Sequence, residues 1–129
     1  MPVSYNIDLA RALIRTTCEG PVTFDEVVQH FGMLVADPHC PGHLDVLLDL
    51  TKVTSIPETH HLRGVADTIG RIQHTLQFGA CAIVAQEDVP FAIGKMFAAF
   101  AKDHFRVTSV FRTLAEAETW LASQQSSAT

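Results

Sequence analysis

A chain of 129 residues, 47% of them hydrophobic and with mean hydropathy +0.19, has the length and composition of one domain with a packed core; it needs no metal or disulfide staple and is not disordered. Fourteen acids against nine scattered Lys and Arg give a net charge of −5, which argues against a nucleic-acid interface or an anionic membrane surface. The longest apolar stretches, 78–85 and 89–101, fall short of the roughly 20 residues that span a bilayer.

Three cysteines, Cys18, Cys40 and Cys81, cannot all pair within the chain. No charged and apolar leader opens it, so reduced thiols in the cytoplasm are expected.

Val3, Tyr5, Ile7 and Leu9 alternate with polar residues, the period of a half-buried strand. The β-branched-rich run 12–19 follows after a very short connection, which predicts an antiparallel hairpin ended by Gly20-Pro21. Thr23 and Glu26 make a T-x-x-E capping box for a helix with Val27, Phe31 and Leu34 on its inner face, ending before Pro38. The run 44–50 predicts a strand, interrupted by Asp45 and Asp49.

Ser55 and Glu58 form a second capping box, with Pro57 in the first turn of a long helix. Its buried face is expected to carry Leu62, Val65, Ala66, Ile69, Ile72 and Leu76. Gly79 is expected to stop that helix, and the apolar run 80–85 to be a central strand buried on both faces. Ile93, Met96, Phe97 and Phe100 mark the inner stripe of a third helix, and 105–111 the last strand. Thr113 and Glu116 cap a final helix whose inner side is Leu114, Ala117, Trp120 and Leu121. The expected domain covers 1–122, with a fraying tail over 123–129.

The order β-β-α-β-α-β-α-β-α predicts an α/β domain: a mostly parallel sheet with right-handed crossovers and an antiparallel N-terminal edge hairpin. In such sheets ligands gather outside the carboxyl ends of the strands. Here that edge is 49–58 and 86–91, each leading into a helix N-terminus whose free N–H groups favour an anion. Thr51, Thr54 and Ser55 supply hydroxyls, and Asp49, Glu58, Glu87 and Asp88 supply carboxylates. The stripe Phe91, Met96, Phe97 and Phe100 could line an apolar pocket but at helical spacing is more often plain core, and Phe91, in the first turn near the proposed mouth, is the better pocket candidate.

His39, Cys40 and His43, with Asp37 before them, and the pair His60-His61 are zinc-ligand types, but their spacing fits no standard zinc pattern and no metal is expected. There is no G-x-S-x-G elbow, P-loop or G-x-G-x-x-G, so no cofactor and no catalytic residue are assigned, and a non-enzymatic domain is expected.

The segment Leu47-Leu48-Asp49-Leu50-Thr51-Lys52-Val53-Thr54-Ser55-Ile56 resembles the strand-to-helix passage of STAS domains. Ala82-Ile83-Val84-Ala85 and the ending Val110-Phe111-Arg112-Thr113-Leu114-Ala115-Glu116-Ala117-Glu118-Thr119-Trp120-Leu121 resemble the SpoIIAA-like subgroup, and the likeness runs from about Ser4 to Leu121. It implies a SpoIIAA-like (STAS) fold in a bacterial regulatory or interaction domain, many of whose members have no assigned role. In the anti-sigma-factor antagonists of that family, a serine at the start of this helix is phosphorylated within a motif that reads roughly D-S-S-G. The matching positions are Pro57, Glu58, Thr59 and His60, so Glu58 falls on the phosphorylated position, Thr59 is the neighbouring hydroxyl, and the motif is not intact. The resemblance implies docking of a regulatory protein partner at this edge. A small apolar or anionic ligand is the alternative, and a homodimer is compatible with both.

If Glu58 serves only as a cap, Glu58→Gln should be nearly silent, with loss of charge near the helix N-terminus costing about 0.3–1 kcal/mol. A pull-down from native cell extract in which wild type retains a partner and the folded Glu58→Gln protein loses it would show that Glu58 contacts that partner.

Overall fold

The computed structural model describes residues 3–55, 59–72 and 77–127. Among them the elements follow in the expected order: β1 (Val3–Asp8), β2 (Leu13–Pro21), α1 (Phe24–Ala36), β3 (His43–Ser55), α2 (Thr59–Ile72), β4 (Gln77–Val84), α3 (Asp88–Phe100), β5 (Val107–Phe111) and α4 (Leu114–Ser127). The sheet order is β1-β2-β3-β4-β5, with β1 antiparallel to β2 and the remaining neighbours parallel. Because this order never reverses, crossovers of one hand must place α1, α2 and α3 on the same face. They do: α1 packs on α2 and α2 on α3, while α4 covers β3, β4 and β5 from the other side.

Two cores result. Leu34, Val65, Ile69 and Phe97 meet Ile14 and Ile83 on the three-helix face. Ala117 and Leu121 of α4 meet Leu13, Leu47, Ala82 and Val84 on the other. The central strand β4 is buried on both faces, as the apolar run predicts.

Gly79 lies inside β4 and stops no helix. The register passes from Leu44↔Phe78 to Val46↔Cys81, two steps on β3 against three on β4, so Gly79 and Ala80 bulge opposite Asp45. The buried Asp45 carboxylate fills the gap: Oδ1 accepts from the Ala80 N–H at 2.9 Å and Oδ2 from Gln125 Nε2 at 3.1 Å. A Cβ at position 79 would overlap Asp45 Oδ1, and this close approach is what the glycine permits.

Further expectations change. β3 continues five residues beyond Leu50, because 52–55 pair with the long end of β2. Met96 is 39% exposed: Gly94 and Phe97 form the buried centre of α3, with Gly94 set close against Ile83. Leu114 is 42% exposed, since Ala117 and Leu121, one turn apart, form the inner line of α4. Nor does α4 end at the expected tail, for it runs through Ser127 and Gln125 donates to the Arg11 carbonyl at 2.8 Å. The capping box at Thr23/Glu26 is formed, and at Thr113/Glu116 the Glu116 N–H donates to the Thr113 hydroxyl, which itself donates to the Glu116 carboxylate rather than leaving it to the Thr113 N–H. The Ser55/Glu58 box lies outside the described residues.

Gly79→Ala should displace the Asp45 carboxylate from Ala80 and cost about 2 kcal/mol or more, the scale of a buried charge-assisted hydrogen bond. Gly32→Ala, in α1 where a Cβ meets open space, should instead stabilise by roughly 1 kcal/mol. Urea melts of the two variants beside wild type check both signs.

Candidate functional site

The proposed carboxyl edge is built differently from its expectation. Between Thr17↔Asp49 and Glu19↔Lys52 the ladder gains a residue on β3, and Asp49 clasps that bulge: its Oδ1 accepts from the Thr51 N–H at 2.9 Å and the Thr51 hydroxyl at 2.7 Å. Asp49 and Thr51 thus satisfy each other within a strand. Thr54 is exposed on the same strand. Glu58 lies outside the described residues, as do the side chains of Ser55 and Thr59.

Asp88 and Phe91 belong to a second cluster, organised by Arg112 at the end of β5. Arg112 donates to Asp88 Oδ1 at 2.8 Å and to the Gln86 carbonyl at 3.1 Å, and its guanidinium lies 3.9 Å from the Phe91 ring centroid. Lys95 approaches the same ring at 4.8 Å. No hydrogen bond or ion pair joins this cluster to Asp49 or Thr51 among the described residues. The monotone strand order explains the separation, because a crevice at the carboxyl ends needs a reversal of strand order.

In the 37–43 loop, Asp37 Oδ2 accepts from the Tyr5 hydroxyl at 2.6 Å and Asp37 Oδ1 from the His39 N–H at 2.9 Å. The Tyr5 hydrogen bond holds the Asp37 carboxyl below its ordinary range, and the same bond pushes the Tyr5 phenol up to about 12. No group of three His, Cys, Asp or Glu side chains converges there or elsewhere among the described residues.

Among the described residues the fold builds a cavity of about 110 Å³ between the sheet and the three-helix layer. Its floor is β2, β3 and β4, with Thr16, Val46, Leu48 and Ile83 among the residues. Its roof includes His30 and Phe31 of α1, Ile69 of α2 and Phe97 of α3. It lies where the main three-helix core adjoins a smaller cluster of Val3, Cys18 and Val22. Leu48 and Leu50 are only half-buried although β3 is the middle strand of five, because the gap runs beside them.

Two polar side chains meet in this apolar wall. Thr16 Oγ1 and His30 Nε2 are 3.3 Å apart, 4% and 7% exposed respectively. The His30 ring stands edge-on to Tyr5 at 5.4 Å and packs on Phe31 at 5.3 Å. Burial pushes the imidazole down to about 4, so it is neutral at neutral pH. Burial likewise pushes the Cys18 and Cys81 thiols of the wall up to about 12. His30 and Val3 also border a surface cleft of about 310 Å³ between β1 and α1, which adjoins the cavity there.

The sequence reading missed both polar residues, yet each carried a signal. His30 stands three residues after Val27 and four before Leu34, on the inner stripe of α1. Thr16 takes the inward place between Ile14 and Cys18 in β2. Arg112 had no comparable signal, since its partners come from another strand end.

No family model matches the chain, and no curated protein matches it. A solved structure from Shewanella loihica, an uncharacterized protein of the DUF3478 family with a SpoIIAA-like fold, superposes with a TM-score of 0.60 at 14% identity, over 92% of this chain and 91% of that one. The chain therefore has the SpoIIAA-like fold. No helix among the described residues is long and apolar enough to cross a membrane.

The buried histidine gives a pH dependence. Unfolded, His30 takes a proton near pH 6.5, and folded only near 4, so between these values the unfolded chain binds more protons and acidification destabilises the fold. The contribution is intact above pH 6.5, and its loss should reach about 2–3 kcal/mol by pH 4. Urea melts at intervals over that span should show a smaller decline for His30→Leu than for wild type.

Proposed function

We propose that this chain is a non-catalytic binding module that accepts a small apolar molecule in the cavity between its sheet and its three-helix layer. The observation that carries this reading is the cavity itself, an apolar recess of about 110 Å³ under the three-helix layer, partly open to the surface. Native interiors leave few gaps larger than a water molecule. An apolar cavity of about 150 Å³ stays dry and takes up benzene, so this one suits an occupant of roughly one ring rather than the drug-sized ligands of larger pockets.

Its wall supports binding over catalysis. At neutral pH both thiols are protonated and His30 is uncharged, so among the described residues the wall offers no thiolate or charged acid. Docking of a regulatory partner at residues 49–59 is the reading implied by the family resemblance. Its key position, Glu58, lies outside the described residues, and Asp49 and Thr51 are engaged with each other.

Titration with benzene, followed by amide chemical shifts, should give saturable changes confined to cavity-lining residues and a concentration-dependent rise in Tm. Val46→Phe, which fills the void from β3, should fold and lose both responses. Absence of any shift in wild type at the solubility limit of benzene would overturn the reading.

A further inference from the structure

Among the described residues the lining of the proposed cavity is apolar except where Thr16 meets His30, and that place defines a chemical class. Resting on the binding reading above, we infer that the cavity selects uncharged single-ring molecules bearing one hydroxyl or carbonyl group, which hydrogen-bonds to Thr16 beside His30.

Thr16 Oγ1 carries one donor hydrogen and two acceptor lone pairs, and its one hydrogen bond among the described residues is to His30 Nε2 at 3.3 Å. Which group donates depends on the imidazole tautomer, and the pair serves a ligand in either state. When the hydroxyl donates to an unprotonated Nε2, its lone pairs accept from a ligand hydroxyl. When Nε2 carries the hydrogen and donates to the threonine, the threonine hydrogen is released to a ligand carbonyl. Both side chains are more than nine-tenths buried and both line the void, so an arriving polar group meets little water there.

Charge is excluded by the same wall. Among the described residues no Lys, Arg, Asp or Glu side chain lines the cavity. A carboxylate or ammonium group would be stripped of water and left without a counter-ion, a penalty far above the gain from burying one ring.

Three probes of nearly one shape test the class: toluene, phenol and benzoate, each titrated into the full chain by amide chemical shifts. Wild type should bind toluene and phenol at the cavity and show no cavity response to benzoate. Thr16→Val, equal in shape but without the hydroxyl, should weaken phenol at least tenfold and leave toluene unchanged, and Thr16→Ser should restore phenol. Toluene binding to Thr16→Val also verifies that the variant is folded with its cavity intact. If wild type binds toluene but phenol affinity is equal in wild type and Thr16→Val, the polar-end inference is wrong and the binding reading stands. Benzoate binding as tight as phenol likewise overturns the inference alone. Failure of all three probes on wild type overturns both.

Discussion

The contact between Asp45 and the Ala80 N–H governs which way β4 faces. Side chains alternate along a strand, so Phe78 and Cys81, an odd number apart, would ordinarily point to opposite faces. The bulge at Gly79–Ala80 restores the phase, and Phe78, Cys81 and Ile83 all reach the three-helix side while Ala80, Ala82 and Val84 lie under α4. Without it, one end of the strand would present its small residues to the wrong layer. The carboxylate is well placed for this task because it takes over an N–H that the interrupted ladder leaves free. Gln125 satisfies its other oxygen and binds the last turns of α4 to the β1–β2 turn through Arg11.

The same device recurs four residues later. Asp49 holds the bulge at Leu50–Thr51, and beyond it Leu50 and Val53 both reach the small cluster with Val3, Cys18 and Val22. The two aspartates of β3 thus set the phases of two neighbouring ladders, one towards β4 and one towards β2. The cavity lies between these corrections: the β4 bulge supplies Phe78, Cys81 and Ile83 to its lining, and β3 on either side of Asp49 supplies Leu48 and Leu50. Its shape follows from strand phase as much as from helix packing.

This division explains what could be read in advance. Periodicity and capping boxes are local, and they gave the element order, the antiparallel edge and the buried central strand. The limits of elements depend on partners distant in sequence. β3 extends to Ser55 because the end of β2 is available to pair with it, and Gly79 resembles a helix stop until Asp45 is found beside it. The candidate site fared worse for the same reason. Asp49, Thr51, Asp88 and Phe91 were chosen for their place along the chain, yet Asp49 closes a bulge with Thr51, while Asp88 and Phe91 support Arg112. Thr16 and His30 were legible singly, as polar residues in apolar stripes. That they meet, 3.3 Å apart beside a void, depends on how α1 crosses β2.

The energetics of the cavity bear on why it exists. At about 24 cal/mol per Å³, an unfilled 110 Å³ costs on the order of 2–3 kcal/mol, and keeping His30 neutral in the fold adds a comparable sensitivity to acid. At neutral pH, where His30 brings no such loss, the unfilled cavity alone is a large share of the roughly 5–15 kcal/mol that holds a domain folded. Neither is required by the topology. Enlarging Val46 or replacing His30 with an aliphatic residue would address each without touching the bulges that set the sheet. Chemical economy would remove a threonine–histidine pair and a void from the same wall, unless an occupant offsets the cost of the void and uses the pair. A ring with one polar atom does so: it restores the missing dispersion contacts and uses the spare hydrogen-bonding capacity of Thr16.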